Sequence, residues 1–127
     1  MNLLPRPTES ELSILQILWE NGPSTVRFVN DQLNNDREVG YTTTLKLMQI
    51  MSEKGLVVRN TDSRTHIYTP AISEHETQRS LLDKFVDTAF RGSAVKLVLQ
   101  ALGQHRASKE ELEAIKAIIE KQEEAES

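Results

Sequence analysis

The chain has 127 residues, 38% hydrophobic and 27% charged, with a formal net charge of −4; that allows one domain or two small units needing mutual support, and argues against a generic nucleic-acid coat protein. There is no cysteine, which excludes disulfides, thiolate metal sites and a Cys nucleophile and fits a reducing compartment. The opening Met-Asn-Leu-Leu-Pro-Arg-Pro has no apolar signal core and no run approaches membrane-span length, so the expected location is the cytoplasm.

Thr8 and Glu11, just after Pro7, are spaced as a capping box, in which hydroxyl and carboxylate reciprocally satisfy free helix N–H groups. A first helix follows with Leu12, Leu15, Leu18 and Trp19 on its apolar stripe and Ile14 beside it, ending at Asn21-Gly22-Pro23. Trp19 reads as a core anchor in preference to a ligand platform. Ser24 or Thr25 caps a second helix through Leu33, burying Val26, Val29 and Leu33 and leaving Arg27 on its outer face. After the polar connection Asn34-Asn35-Asp36-Arg37-Glu38, Gly40 and Tyr41 lead into a third helix that ends at Lys54-Gly55, with Gly supplying the left-handed residue.

The third helix is the centre of the chain. Leu47, Met48 and Met51, with Thr44 one turn earlier, make a buried stripe. The opposite face carries Thr42, Thr43, Lys46 and Gln49, with no carboxylate before Glu53. A solvated face usually mixes both signs of charge. Hydroxyls, an amide and one cation instead suit a helix whose N-terminal half meets base edges and phosphates in a DNA major groove. An ordinary amphipathic helix with a polar outside is the other reading of this face.

Leu56 to Asn60 and Thr65 to Thr69 are β-rich runs around a Thr61-Asp62-Ser63-Arg64 turn, the second ending at Pro70. Three helices and a hairpin is the order of a winged helix-turn-helix domain, and it strengthens the DNA reading. Between Thr42 and His66, Lys46, Lys54, Arg59 and Arg64 oppose only Glu53 and Asp62. The wing holds Arg59, Arg64 and His66 where they reach an adjacent backbone; His66 is also open to a switch role or to none beyond the strand. His75 and His105 show no metal-ligand spacing, and neither a nucleophile elbow nor a glycine-rich phosphate loop occurs. Glu110, Glu111 and Glu113 read as a solvated first turn that suits the helix dipole. The residues point to no enzyme, metal or cofactor.

The remainder, from Ser73 to Ser127, predicts three helices. Ser73 with Glu76 opens a long one carrying Leu81, Leu82, Phe85, Val86, Ala89 and Phe90, broken at Arg91-Gly92-Ser93. Ala94 to Leu102 is apolar almost all round and expected to stop at Gly103. Ser108 with Glu111 opens a last helix with Leu112, Ile115, Ile118 and Ile119, and the charged tail from Lys121 is expected to fray. A helix apolar all round must be buried all round, and so small a unit has too much surface to do that alone. Five aliphatics at full burial represent on the order of 7–15 kcal/mol gross. A second copy is the simplest cover, with packing on the first domain as the alternative. The expected dimer contacts are Leu82, Phe85, Phe90, Val95, Val98, Leu99, Leu102, Ile115 and Ile118.

Thr8-Glu9-x-Glu11-Leu12 through Leu18-Trp19, Gly22-Pro23-Ser24-Thr25-Val26, Gly40-Tyr41-Thr42-Thr43-Thr44, Glu53-Lys54-Gly55-Leu56-Val57, Tyr68-Thr69-Pro70 and the Phe90-x-Gly92-Ser93 joint, in that order, resemble the penicillinase-repressor (BlaI/MecI) family across nearly the whole chain. The resemblance implies a winged-helix transcriptional repressor that binds a palindromic double-stranded DNA operator as a homodimer through a C-terminal helical region. It matches Thr43 and Lys46 to base-facing positions and Thr42 to a phosphate-side one. Some members are released when a membrane sensor-protease pathway leads to cleavage in the helical region. This chain departs from the pattern at Gln49 and Ile50, where many members are basic, and at Gln100-Ala101, where the best-known members have an Asn-Phe bond that is cut. The copper-responsive branch uses a C-terminal cysteine cluster that is absent here.

The expectation is therefore a mostly α protein with a small β-hairpin wing: a winged helix-turn-helix DNA-binding domain over residues 1–72 and a three-helix dimerisation region over 73–127. Its function would be a sequence-specific homodimeric repressor reading half-sites about one DNA turn apart, released by a signal acting on the dimerisation region. A winged-helix protein–protein interaction module without DNA binding is the rival.

Overall fold

Local sequence signals account for most helix boundaries. The computed structural model describes residues 6–62 and 64–126. Helix α1 (Glu9–Asn21) opens with the complete capping box: Thr8 N–H donates to Glu11 Oε1 at 2.9 Å and Glu11 N–H to Thr8 Oγ1 at 3.2 Å. Helix α2 (Val26–Leu33) is capped by Thr25, whose hydroxyl accepts from Phe28 N–H at 3.1 Å. That leaves Ser24 for a different task. Helix α3 (Tyr41–Lys54) starts after Gly40 with no side-chain cap and stops at Gly55, whose φ of 82° is left-handed. A side chain there would be strained, so glycine ends the helix at the lowest conformational cost.

Strands β1 (Val57–Asn60) and β2 (Ile67–Pro70) pair antiparallel, with Val57 opposite Pro70 and Asn60 opposite Ile67. The second strand starts two residues later than its β-rich composition suggests, so Thr65 and His66 belong to the connection and not to the ladder. Ser24 completes the sheet: its N–H donates to Tyr68 O at 3.0 Å and Tyr68 N–H returns to Ser24 O at 2.8 Å. The wing is thereby hydrogen-bonded to the α1–α2 connection as well as to itself.

The core of this unit gathers one face from each element. Ile14, Leu15 and Leu18 of α1, Val29 of α2, Met48 and Met51 of α3, and Leu56 are fully buried, as are Thr44 and, within 1–2%, Tyr68 and Val57. Thr44 is the one polar member of the α3 stripe, and it is hydrogen-bonded. Trp19 is half-buried and donates its indole N–H to Ile72 O at 3.0 Å, fastening the chain beyond β2 to α1. Lys54 Nζ reaches Glu11 Oε1 at 2.6 Å and so joins the end of α3 to the start of α1. Burial alone would push the Glu11 carboxyl up; the hydrogen bonds from Lys54 and from Thr8 outweigh it and hold the carboxyl below its ordinary value of 4.5.

Helices α4 (Glu74–Phe90), α5 (Ala94–Gln104) and α6 (Lys109–Glu126) make up the rest. Compactness divides the chain between Leu82 and Asp83, inside α4. Ser73 Oγ accepts from Glu76 N–H at 3.1 Å, and Thr77 on the next turn is buried. α4 ends where Arg91 (φ 51°) and Gly92 (φ 84°) are both left-handed. α6 opens with the second complete capping box, Ser108 with Glu111. The Ser108 backbone and hydroxyl hold the Glu111 carboxyl below its usual value.

Three local expectations fail in this unit. Gly103 lies inside α5 and does not end it; the helix runs to Gln104 and closes on extended His105, whose N–H bonds Ala101 O. One glycine near a helix end costs only about 1 kcal/mol, which the surrounding helix tolerates. The tail does not fray at Lys121, since α6 continues to Glu126. Lys, Gln, Glu and Ala there are all strong helix formers. α5 is also amphipathic and not apolar all round. Val95, Val98, Leu99 and Leu102 form one stripe at 46–68% exposure, or 40% for Leu102, while Lys96 and Gln100 fall outside it.

Candidate nucleic-acid interface

The exposed face of α3 is set by what the opposite face buries. Thr44, Met48 and Met51 point into the core, so Thr42, Thr43, Lys46 and Gln49 are turned to solvent, and all four are exposed. Ile50 shares this face at 37% exposure, and Glu53 brings the first carboxylate, near the C-terminal end. The N-terminal half is therefore free of negative charge, and the C-terminal half is not. A helix of this charge distribution would enter a DNA groove by its first two turns, because Glu53 would be repelled by the phosphates flanking a deeper insertion.

The start of α3 is held by amides of α2 and of its C-cap residue. Asn30 Nδ2 donates to Thr44 Oγ1 at 2.8 Å and to Val39 O at 3.0 Å. Asn34 exchanges two bonds with Val39: its Nδ2 donates to Val39 O at 2.9 Å and its Oδ1 accepts from Val39 N–H at 3.0 Å. Since Gly40 offers no side-chain cap, these contacts fix the angle at which α3 leaves the turn. In the sequence Asn34 reads as loop polarity, and Asn30 belongs to no expected site. The signal available was an amide at the inner edge of a short helix, four residues before Asn34.

The cations of the wing are distributed along it. Arg59 is on β1, opposite Tyr68, and is exposed; Arg64 and His66 are exposed in the connection ahead of β2. Arg64 and His66 share an open groove of about 640 Å³ with residues of α2 and the first turns of α3, including Arg27, Phe28, Tyr41 and Leu45. Arg59, Thr42, Thr43, Lys46 and Gln49 are not among the residues lining it. The Arg27 guanidinium lies over the Tyr41 ring, 5.3 Å from its centroid. Arg27, Tyr41 and Phe28 were absent from the sequence-based site, because periodicity marks them only as outward-facing.

The residues expected at a dimer contact lie on three helices. Leu82 and Phe85 of α4 are 48% and 53% exposed, and Phe85 meets Phe90 edge-on with ring centroids 5.7 Å apart. Val95, Val98, Leu99 and Leu102 form the α5 stripe, and on α6 Ile118 is 60% exposed while Ile115 is half-buried. No residue of α5 or α6 is buried within the single chain. Among the described residues no cluster of potential metal ligands occurs, and no helix is long and apolar enough to cross a membrane.

The chain is similar to known bacterial repressors. The transcriptional regulator BlaI of Mycobacterium tuberculosis is 30% identical over 112 residues, covering 84% of this chain and 81% of that protein. The penicillinase repressor of Bacillus licheniformis is 22% identical over 120 residues, 94% of each chain. In fold, the solution structure of the DNA-binding domain of the repressor BlaI matches with a TM-score of 0.51 at 22% identity, over 58% of this chain and 90% of that one. The solution structure of monomeric Bacillus licheniformis BlaI in complex with the blaP half-operator gives the same TM-score at 21% identity, over 60% and 93%. The family model described as penicillinase repressor matches residues 7–121, and the chain belongs to that family of repressors, which are not enzymes.

Proposed function

We propose that this protein is a sequence-specific DNA-binding transcriptional repressor that acts in the cytoplasm as a homodimer on a palindromic operator. Residues 1–72 form the reading domain and residues 73–127 the dimerisation region. The observation that carries the reading is the exposed, carboxylate-free N-terminal half of α3, with Thr42, Thr43, Lys46 and Gln49 outward over a fully buried Thr44–Met48–Met51 stripe. Thr43 and Lys46 meet base edges, Thr42 a phosphate, and Gln49 reaches either. Arg59, Arg64 and His66 give the wing its backbone contacts. Support comes from relatives of the same family, one of which was solved on a half-operator.

The dimer rests on the bare α5 stripe, with Leu82, Phe85 and Phe90 on α4 and Ile115 and Ile118 on α6 as further contacts. These side chains lose the stabilisation of burial unless a second copy covers them. Release follows from a signal acting on this region. The family's membrane sensor-protease route would have to cut at or near Gln100–Ala101, which lies in α5.

The decisive experiment is an electrophoretic mobility shift with promoter DNA from the protein's own host at two salt concentrations. A DNA reader shifts the duplex and loses affinity steeply with salt. A winged module that binds only proteins gives no shift at either concentration.

A further inference from the structure

Arg27 stands out on the surface of α2 because its guanidinium is already placed. The charge lies over the Tyr41 ring at 5.3 Å, a contact between α2 and the first residue of α3. Stacking restricts a long, flexible side chain without using its N–H donors, which stay free for an anion. Arg64 and His66 border the same groove from the wing side. Phe28 and Leu45 give the groove its apolar lining. Asp31, one turn beyond Arg27 on α2, also lines it, and its carboxylate would confine an anion to the Arg27 end.

We propose that this groove seats the sugar-phosphate backbone of DNA, gripped by the Tyr41-stacked Arg27 on one wall and by Arg64 and His66 on the other. The chemistry is that of an oxyanion site, and a groove lined by cations from α2 and from the wing suits a continuous backbone better than a free ion. Because Tyr41 begins the reading helix, the seat also sets how α3 is aligned on the duplex. Arg27 is a phosphate-binding residue in this scheme, and Tyr41 a positioning residue that acts through it. The proposal rests on the reading of α3 as a DNA-binding helix.

The test needs no operator. Binding of the full chain to a labelled mixed-sequence duplex is titrated over a range of salt. Arg27→Ala is expected to weaken binding roughly tenfold at moderate salt, as for a lost charged hydrogen bond, and to make the salt slope shallower by about 0.9 per bound protomer. Tyr41→Ala should cost about two- to fivefold, Tyr41→Phe should bind like wild type, and Tyr41→Ala added to Arg27→Ala should cost little more. Thermal melts of the variants confirm folding, since both side chains are exposed. An unchanged slope in Arg27→Ala overturns the seat while leaving the repressor reading intact; a wild type that binds no duplex at low salt overturns both. Equal losses in Tyr41→Phe and Tyr41→Ala would show the hydroxyl binding directly and overturn the positioning role. Competition by inorganic phosphate beyond that of chloride at matched ionic strength would mean that the groove holds a free anion, and overturns the assignment to DNA.

Discussion

At the residue scale, Thr43 and Arg64 test the two kinds of DNA contact proposed. Thr43 offers a hydroxyl and a methyl on the exposed start of α3. Thr43→Ala should lower operator affinity by about 1–3 kcal/mol and leave mixed-sequence binding nearly intact. Arg64 lies in the connection of the wing, so Arg64→Ala should weaken all sequences alike and flatten the salt slope by about one unit per protomer. Competition titrations of both variants against specific and non-specific duplexes distinguish the two. Glu11 belongs to folding instead. Its carboxyl is held below 4.5 in the native state by Lys54 and Thr8, against the opposing effect of burial. A depressed native value means the folded state binds its proton less readily than the unfolded chain. The contribution is present above about pH 4.5 and fades as pH falls through the native value. Chemical denaturation of Glu11→Gln should show a loss of about 1–2 kcal/mol at neutral pH, with the gap to wild type closing in acid.

At the element scale, the orientation of α3 depends on the amides of α2. Asn30→Ala removes both bonds from Asn30 Nδ2, to Thr44 Oγ1 and to Val39 O. A cost of about 1–3 kcal/mol is expected, because groups at a half-buried turn lose a partner. Operator binding should fall more than mixed-sequence binding, since on the proposed reading a tilted α3 misplaces Thr43 and Lys46 at the base edges while the wing cations still reach phosphates. Equal losses on both duplexes would show that the network serves stability alone. The same dependence explains why Gly40 suffices as a cap: neighbouring amides, and not a side chain of its own, hold the first turn.

At the scale of the whole molecule, the proposed homodimer would couple self-association to DNA affinity. Few cations serve each reading domain, so one half-site should bind weakly. Joining two domains makes the second contact intramolecular, which adds about 10²–10⁴ in affinity with no new DNA contact. Val98→Asp places a charge in the exposed α5 stripe, where burial against a second copy without a partner is too costly. Light scattering should report a wild-type dimer and a monomeric variant, with operator affinity reduced by the avidity factor and the winged domain still folded. A wild-type monomer, or a monomeric variant that binds the palindrome as tightly as wild type, would sink the model.

Much of this protein is legible in one dimension because its signals are local. Capping residues at Thr8, Thr25 and Ser108, the left-handed Gly55, and the Thr44–Met48–Met51 spacing each act within a turn or two of chain, so order of elements and the exposed face of α3 follow from sequence. Gly103 and the tail after Lys121 show the limit of the same logic: breaker and charge signals are weak, and strong helix formers around them prevail. Tertiary structure decided everything that depends on distant residues meeting. Ser24 pairs with Tyr68, Lys54 with Glu11 and Trp19 with Ile72 across 43 to 53 positions, and no periodicity encodes such partners. Tertiary packing also put Arg27 over Tyr41 and both beside Arg64. Read singly these are three outward-facing residues; a shared groove appears only once α2, α3 and the wing are folded on one core.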